Sequence, residues 1–319
     1  MAVYTDVSFE DLEGLLAGYD IGLPLSFKGI AEGVENSNFY LQTDRGAYIL
    51  TLYEKRVRVE DLPFFLGLME HLAANGLTCP QPLRGRDGAQ WVTLKSRAAA
   101  ILTFLHGISL RRPEAGHCGA AGAALAQLHA ASQGFALTRA NALSLPGWRE
   151  LAAATAARAD EIQEGLAHLI ADALADLESH WPKDLPSGVI HADLFPDNVL
   201  FMQDKVSGLI DFYFACNDMY AYDLAVTLNS WCFEADGAYN ITKGKALIGA
   251  YQAQRALTQA EISALPVLMR GAALRFLLTR LYDWLHHDST ALVRPKDPRE
   301  YSRRLRFHMA VKHAGEYGL

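Results

Sequence analysis

The chain has 319 residues, half of them hydrophobic and a fifth charged, and this balance predicts a globular protein with enough material for two modest cores. Its formal net charge of -7 argues against a general nucleic-acid binder, because affinity for a phosphate backbone needs a basic surface. The first twenty residues carry acids where a signal peptide would be apolar, and the apolar stretch AAAILTFL is too short to cross a bilayer.

These features predict a soluble cytoplasmic protein whose partners are neither membranes nor nucleic acids. The four cysteines lie far apart with no C-x-x-C pair, which is typical of reduced, packed thiols in a cytosolic protein. Composition does not distinguish a monomer from a homodimer, so both remain open.

The first hundred residues carry the patterns of a small sheet with helices. Ser8 and Asp11 resemble a capping box and predict a short first helix. The stretch 25–54 then predicts three strands, with TDRG as the hairpin turn between the second and third. Helical spacing over 59–76 and two further short strands lead to the apolar segment that ends at FLHG.

From about residue 107 the pattern becomes helical. The stretch 117–132 is rich in small residues and suits a tightly packed helix, and 148–181 predicts one or two amphipathic helices. Thr258 and Glu261 form a second capping box, which predicts the start of a long apolar helix. The sequence therefore divides near FLHG into a small sheet-containing part and a larger helical part.

One stretch, residues 188–212, holds several chemically active side chains between two short apolar runs. Asp193 and Asn198 lie on a loop, and Asp211 follows across a predicted hairpin, so these three side chains can converge on one point. Oxygen ligands of this kind suit a hard cation such as Mg2+. Asp193 can instead face a nucleophile while His191 fixes the loop, and phosphoryl transfer asks for this division of labour.

The motif HADLFPDN followed by IDF resembles the H-x-D-x-x-x-x-N and D-F-G elements of protein kinases. It is closer to the form found in the aminoglycoside phosphotransferase and choline kinase-like family. LAQLHA resembles that family's Leu-x-x-Leu-His helix, and YDLA resembles its Asp-x-Ala segment. The resemblance implies a bilobal, protein-kinase-like α/β (α+β) fold, with a small antiparallel-sheet N-lobe and a larger, mostly helical C-lobe.

The same resemblance implies roles for residues and lobes. Residues 1–105 would form the nucleotide-binding lobe and 106–319 the catalytic and substrate-binding lobe. ATP and Mg2+ would be the cofactors. The implied catalytic and metal-binding set is Asp193 as base, His191 beside it, and Asn198 and Asp211 as magnesium ligands. His129 and Asp223 also have family counterparts, and we expect both to support the loop.

Three longer stretches, residues 35–56, 210–234 and 265–284, resemble the bacterial homoserine kinases that have this fold. This resemblance implies ATP-dependent phosphorylation of the small molecule L-homoserine, a step toward threonine. Choline and aminoglycoside kinases are alternatives within the family. A nucleotide-binding pseudokinase is an alternative from another class, favoured by an unusual position in the sheet.

At that position the family has a lysine in the strand, whereas this sequence has Thr51. Lys55 lies four residues further on, along the same face of the predicted strand. The phosphate loop is also unusual, because a single glycine, Gly33, stands where protein kinases have three. The resemblance therefore suggests that polar side chains of the loop supplement its backbone N–H groups. The predicted nucleotide contacts are Gly33, Asn36, Ser37, Asn38, Lys55 and Phe104.

The acceptor pocket is expected beside Asp193. An amino-acid substrate needs a carboxylate or carbonyl for its ammonium group and an arginine for its carboxylate. Candidates for the ammonium are Asp218, Asp223 and Glu234, and our choice for the carboxylate is Arg275. A structural salt bridge is the competing explanation for any arginine in this apolar helix, because a buried guanidinium needs a negative partner.

Overall fold

The computed structural model describes residues 5–30, 36–54, 57–287 and 295–319, so the predicted nucleotide contacts Gly33 and Lys55 lie outside the described residues. The chain folds into two compact units that meet in sequence between His106 and Gly107. The first unit is a small antiparallel sheet with helices and the second is mostly helical, which confirms the predicted fold class.

The first unit contains one sheet of five antiparallel strands in the order β1-β2-β3-β5-β4. Its elements are α1 Phe9–Leu16, β1 Pro24–Gly29, β2 Ser37–Thr43, β3 Gly46–Leu52, α2 Leu62–Ala74, β4 Val92–Leu94 and β5 Arg97–Thr103. Thr43 pairs with Gly46 across the tip of β2 and β3, so the TDRG segment forms the predicted hairpin turn.

The core of this unit forms where α1 covers one face of the sheet. The capping box of Ser8 and Asp11 is present and starts α1, as predicted. Leu12 of α1 packs into a fully buried cluster with Leu41 and Leu50 of the sheet. Burial of apolar side chains contributes about 25 cal/mol per Å2 of surface, so this cluster holds helix and sheet together.

The second unit is built around α9, its longest helix. Its helices are α3 Ala115–Ala131, α4 Leu145–Thr155, α5 Ala159–Ile162, α6 Leu166–His180, α7 Tyr220–Trp231, α8 Ile241–Gln252, α9 Gln259–Leu285 and α10 Arg299–Ala310. The capping box of Thr258 and Glu261 starts α9 as predicted, and the helix packs against α4, α7 and α10. The stretch predicted to hold one or two helices contains three, α4 to α6.

Close packing of α3 on α8 explains why α3 is rich in small residues. A Cβ on Gly122 would lie 2.2 Å from the carbonyl oxygen of Leu247, so only glycine permits this approach. Sequence predicted tight packing of α3, but its partner lies more than a hundred residues away and leaves no local pattern.

Among the described residues, α9 is one helix that is long and apolar enough to cross a bilayer. However, 67% of its most apolar window is buried inside the unit. Such burial is typical of the core helix of a globular domain, and α9 has that position here.

Two short pairs of antiparallel strands complete the second unit. Strands β6 Ser187–Ile190 and β9 Cys216–Met219 pair with each other, as do β7 Val199–Met202 and β8 Lys205–Leu209. Gln203 and Asp204 join β7 to β8 with φ angles of 49° and 62°, the conformation of a two-residue turn that follows the strand twist. This arrangement confirms the predicted hairpin and leaves residues 191–198 as the loop between β6 and β7.

His308 on α10 provides a prediction about the stability of the second unit. The imidazole is fully buried between the Tyr317 hydroxyl at 2.9 Å and the Asn229 Oδ1 at 3.0 Å. Burial, helped by the charges of Arg304 and Arg270, lowers the pKa of His308 from 6.5 to about 3. The unfolded chain therefore binds a proton below pH 6.5 that the folded chain refuses, so His308 reduces stability as the pH falls from about 6.5 toward 3.

We expect the free energy of unfolding to fall with decreasing pH, with a share of about 1.4 kcal/mol per pH unit from His308. Urea unfolding between about pH 7.5 and 5 measures this slope, and His308→Gln should flatten it. His168 is a suitable control because its side chain is 83% exposed. Equal slopes in wild type and His308→Gln would contradict the assignment of a depressed pKa.

Candidate active site

The loop after β6 is held by one buried carboxylate. Asp223, in the first turn of α7, accepts hydrogen bonds from the backbone N–H of His191 at 2.7 Å and of Ala192 at 2.8 Å. Ala192 has a φ of 62°, which is uncommon for a residue with a Cβ. The two bonds to Asp223 fix the backbone in this turn, immediately before Asp193.

His191 fixes the loop from the other side. Its Nε2 lies 3.0 Å from the carbonyl oxygen of Ile210, so Nε2 carries the proton and donates. Nδ1 is then an acceptor and receives the backbone N–H of Asp193 at 3.3 Å. Burial lowers the pKa of His191, which keeps the ring neutral and this tautomer in place. The residue predicted beside the base is thus buried, and both ring nitrogens bond to backbone.

Asn198 holds Asp193 directly. Its Nδ2 donates to the backbone carbonyl of Asp193 at 2.7 Å and to the carboxylate Oδ2 at 3.3 Å. Asn198 ends a short 3-10 turn, Pro196–Asn198, immediately before β7. The structure therefore brings together the two residues that the motif spacing placed on one loop, with Asp193 only partly buried.

Asp211 lies at the end of the β7–β8 hairpin, next to Asn198. The backbone N–H of Ile210 donates to the carbonyl oxygen of Asn198 at 3.0 Å, so Asp211 follows the residue that pairs with Asn198. Asp211 has a φ of 64°, so it shares the left-handed conformation of Ala192 at the other end of the loop and hairpin. Burial raises the pKa of Asp211, partly offset by a backbone hydrogen bond from Tyr213. A divalent cation would reverse this effect by favouring the ionised form.

The structure places two predicted substrate-binding residues beneath the loop instead. Asp223 is fully buried, and its oxygens are occupied by the His191 and Ala192 N–H groups and by His129. Arg275 is also buried and donates through Nη1 to the carbonyl oxygen of Ala192. Asp223 therefore anchors the loop, and its engaged oxygens favour this role over the predicted contact with a substrate ammonium. The placement of Arg275 likewise favours loop support over the predicted substrate contact.

The two remaining ammonium candidates lie elsewhere. Asp218 sits opposite Gly188 in the β6–β9 pair, at the end away from His191, and accepts from Asn141 at 2.7 Å. It lines a surface cavity of about 430 Å3 that does not include the loop. Glu234 is paired with Lys243 at 2.7 Å. These local partners do not favour the predicted contacts with a substrate ammonium beside Asp193.

A chain of buried hydrogen bonds extends from Asp223 into the helical core. His129 on α3 lies 3.0 Å from Asp223 Oδ2 through Nε2 and 2.9 Å from the Tyr251 hydroxyl through Nδ1. Arg255 donates to the same hydroxyl at 3.2 Å and to Glu261, in the α9 capping box, at 2.8 Å. Every bond is satisfied if the Tyr251 O–H donates to Nδ1 and a neutral His129 donates to Asp223.

The pKa shifts agree with this direction of the bonds. Burial lowers the pKa of His129, so the ring stays neutral. Burial alone would raise the pKa of Asp223, but the hydrogen bonds from the His129 ring and the His191 N–H help to lower it, so Asp223 stays ionised. The sequence indicated His129 and Asp223 as loop supports. Tyr251 and Arg255 were missed, because neither lies in a recognisable motif, and Glu261 was predicted only as part of the α9 capping box.

Tyr251→Phe tests whether this series of buried hydrogen bonds affects catalysis at the active site. It removes the donor to His129 Nδ1 and leaves a buried acceptor without a partner, at a cost of about 1–3 kcal/mol in stability. Tyr317→Phe is a matched control, since its hydroxyl bonds the buried His308 Nδ1 at the same 2.9 Å. We expect similar stability losses from urea unfolding, but a lower kcat only for Tyr251→Phe. Equal kcat values in both variants would contradict the connection.

The predicted nucleotide contacts Asn36, Ser37 and Asn38 form hydrogen bonds with residues in and just after β3. Asn36 Oδ1 accepts the Glu54 N–H at 3.3 Å, and the Ser37 hydroxyl donates to Glu54 Oε1 at 2.7 Å. These buried contacts do not favour the phosphate contacts predicted for Asn36 and Ser37. Asn38 accepts from Thr51, the residue at the lysine position, at 2.8 Å.

Phe104 follows β5 and lies edge-on to the Tyr40 ring at 5.3 Å. The polar cluster that fixes the start of β2 depends on Glu54, which also pairs with Arg97 at 3.3 Å. Glu54 was not among the predicted residues, although its position two residues after β3 was a possible signal.

Comparison with known proteins agrees with this geometry. A family model described as "Phosphotransferase enzyme family" matches residues 26–257. The chain belongs to this family. A homoserine kinase of Sinorhizobium fredii is 64% identical over 319 residues, covering 100% of this chain and 98% of the relative. A homoserine kinase of Azorhizobium caulinodans is 63% identical, covering 100% and 99%.

Solved structures of other phosphotransferases and kinases share the fold at low identity. A spectinomycin phosphotransferase in complex with ADP and spectinomycin has a TM-score of 0.69 at 13% identity and covers 98% of both chains. An amicoumacin kinase in complex with AMP-PNP and Ca2+ has a TM-score of 0.68 at 12% identity, covering 95% of this chain and 92% of its own. The protein is thus a kinase-fold phosphotransferase, and its family implies ATP as the phosphate donor.

Proposed function

We propose that the protein is a homoserine kinase, which transfers the γ-phosphoryl group of ATP to the hydroxyl of L-homoserine and forms O-phospho-L-homoserine. The observation that carries the proposal is the 61% to 64% identity, over the whole chain, to relatives named homoserine kinase. The complete set of Asp193, Asn198 and Asp211 supports it, because this set opposes the pseudokinase alternative. A cytoplasmic location and a role in threonine biosynthesis belong to the same proposal.

Asp193 is the proposed base for the acceptor hydroxyl. The Asn198 amide holds one carboxylate oxygen at 3.3 Å, and the N–H of Asp193 is held by the His191 ring. A carboxylate that is oriented in this way accepts a proton as the alcohol attacks, and such assistance contributes about 10² to 10⁴-fold to the rate. His191, Asp223 and Arg275 act on this step by positioning the loop.

Asn198 and Asp211 are the proposed ligands of Mg2+. The described residues contain no group of three or more His, Cys, Asp or Glu that could hold a metal ion alone. The pair of Asn198 and Asp211 nevertheless fits Mg2+, which commonly takes one or two carboxylates and completes its shell with water and phosphate oxygens. When bound, the ion would neutralise charge on the phosphates of ATP. Gly33, Asn38, Lys55 and Phe104 remain proposed nucleotide contacts.

Magnesium titration tests the metal role. Asp211→Asn should raise the Mg2+ concentration needed for half-maximal activity by about tenfold or more, since a charged ligand is lost. Asp204→Asn is a matched control, because Asp204 belongs to the same hairpin and its side chain is 91% exposed. Superimposable titrations of the two variants would remove Asp211 from the metal site.

Product identification tests the reaction itself. Purified protein with MgATP and L-homoserine should give ADP and one new phosphomonoester resonance in phosphorus NMR, coupled to the neighbouring methylene protons. The signal should match O-phospho-L-homoserine. Stoichiometric release of free phosphate without this resonance would show ATP hydrolysis only and would contradict the proposal.

A further inference from the structure

Two buried arginines enclose one aromatic ring in the second unit. The guanidinium carbons of Arg280, on α9, and Arg304, on α10, each lie 4.5 Å from the ring centroid of Tyr301. Both arginines pair with the same carboxylate, Glu300. The cluster therefore contains two positive charges and one negative charge. Buried cations without matching anions are costly, so this excess calls for another negative group.

The same cluster contains polar atoms without partners. Within the described part of the chain, neither the Tyr301 hydroxyl nor Arg304 Nε makes a hydrogen bond. Tyr301 is 0% exposed and Arg304 is 7% exposed, so bulk water does not replace the missing bonds. A buried donor without an acceptor costs about 1–3 kcal/mol. Two such donors on adjacent side chains are what an unfilled site for a negative acceptor group would contain.

This cluster borders the residues that follow Asp193. The Phe195 ring lies 4.9 Å from the Phe276 ring, which lies 5.3 Å from Tyr301. On another side, Arg304 Nη1 donates to the carbonyl oxygen of Asn229 at 2.5 Å.

The next two residues of α7 then reach the loop. Ser230 and Trp231 both donate to the carbonyl oxygen of Leu194, at 3.3 Å and 2.8 Å. Contacts from two sides thus connect the cluster to Leu194 and Phe195, directly after the proposed base.

We infer that Arg280, Arg304 and Tyr301 form the subsite for the carboxylate of the amino-acid acceptor. The inference rests on the proposed function. A bound carboxylate would accept hydrogen bonds from Arg304 Nε and the Tyr301 hydroxyl, and its charge would balance the second arginine. Homoserine is short, so a carboxylate whose own hydroxyl faces Asp193 must lie close to that residue. The cluster is connected to Leu194 and Phe195, and the charge of Asp193 acts on Tyr301. Glu300 pairs with both guanidinium groups and would hold them in place without a substrate.

The test compares two acceptors that differ only in the carboxylate, L-homoserine and 3-amino-1-propanol. Loss of one partner of a desolvated charge pair commonly costs about 10² to 10³-fold. Arg304→Gln should lower kcat/KM for L-homoserine by about this factor, mainly through KM, and leave kcat/KM for 3-amino-1-propanol nearly unchanged. Arg270→Gln is the control, because Arg270 lies on the same helix as Arg280 and is paired with Asp176 at 2.7 Å.

Tyr301→Phe keeps the test decisive if the arginine variant does not fold. It removes only a hydroxyl that has no partner, so the melting temperature should be unchanged or higher. The KM for L-homoserine should rise by about tenfold, while the KM values for ATP and 3-amino-1-propanol stay at wild-type levels.

Equal losses for both acceptors, or an unchanged KM for L-homoserine in Tyr301→Phe, would overturn the subsite while the proposed function stands. A wild-type enzyme that uses 3-amino-1-propanol better than L-homoserine would overturn the proposed function and the subsite with it. A wild-type preference for L-homoserine that is lost in Arg304→Gln and Tyr301→Phe, but kept in Arg270→Gln, would support both.

Discussion

Asp193→Asn is expected to lower kcat by about 10² to 10⁴-fold, because the asparagine amide cannot accept the proton of the substrate alcohol. The fold should persist, since Asn198 holds the backbone carbonyl at position 193 at 2.7 Å and that bond does not use the carboxylate. Binding of MgATP, measured by calorimetry, should remain within the wild-type range, because Asn198 and Asp211 are unchanged. Turnover is measured as ADP release at saturating substrates.

A control within the same loop separates catalysis from loop charge. Asp197 has a side chain that is 68% exposed and pairs with Lys296 at 3.5 Å. Asp197→Asn removes the same charge four residues away, and we expect it to keep nearly full activity. An Asp193→Asn enzyme with more than half the wild-type rate would remove Asp193 from the role of base.

Asp223→Ala is expected to reduce both stability and activity strongly. The substitution leaves the N–H groups of His191 and Ala192 and the ring of His129 without their common acceptor. Removal of one partner from a buried charged network typically costs about 3–5 kcal/mol. Urea unfolding measures this loss, and kcat of the folded fraction should also fall, because Ala192 loses one of the bonds that hold its left-handed backbone.

A conservative variant and a control variant accompany the Asp223→Ala measurement. Asp223→Asn keeps one carbonyl oxygen and should lose less stability than Asp223→Ala. Asp218→Ala removes a carboxylate from the neighbouring strand that is bonded to Asn141, and its kcat should stay close to wild type. A loss of less than about 1 kcal/mol in Asp223→Ala would show that the loop is held mainly by other contacts.

The fold and the catalytic loop could be predicted because local sequence encodes them. Alternation and turn residues fixed β2, β3 and the hairpin after Val199, and the fold class was confirmed. Asp193 and Asn198 could be placed together because only a few residues separate them. In such cases the geometry depends on neighbouring residues of the chain, so their spacing in sequence is enough to predict that they lie close together.

The surroundings of the loop could not be predicted, since they depend on distant packing. His129 and Tyr251 are 122 positions apart in sequence, yet their side chains share one buried hydrogen bond. Arg275 and Arg304 look alike as basic residues in helices. One bonds the Ala192 carbonyl beneath the loop and the other flanks Tyr301, and only the crossing of α9 and α10 decides which.

Asp218 and Glu234 show that proximity in sequence can also mislead. Both lie close in sequence to the motif residues, but strand direction places Asp218 at the far end of the β6–β9 pair, and Lys243 pairs with Glu234. Proximity in sequence indicates proximity in space only within one element or one turn. Residue type alone could therefore nominate ammonium partners but could not orient them.

The most direct test of the central claim is a comparison of kcat/KM for L-homoserine, choline and a kanamycin-type aminoglycoside with the same wild-type enzyme and MgATP. A site built to pair a carboxylate leaves buried arginines unmatched when that group is missing, so we predict a preference for L-homoserine of about 10²-fold or more. Choline lacks the carboxylate, and an aminoglycoside needs a broad acidic cleft. A higher kcat/KM for choline or the aminoglycoside than for L-homoserine would contradict the assignment.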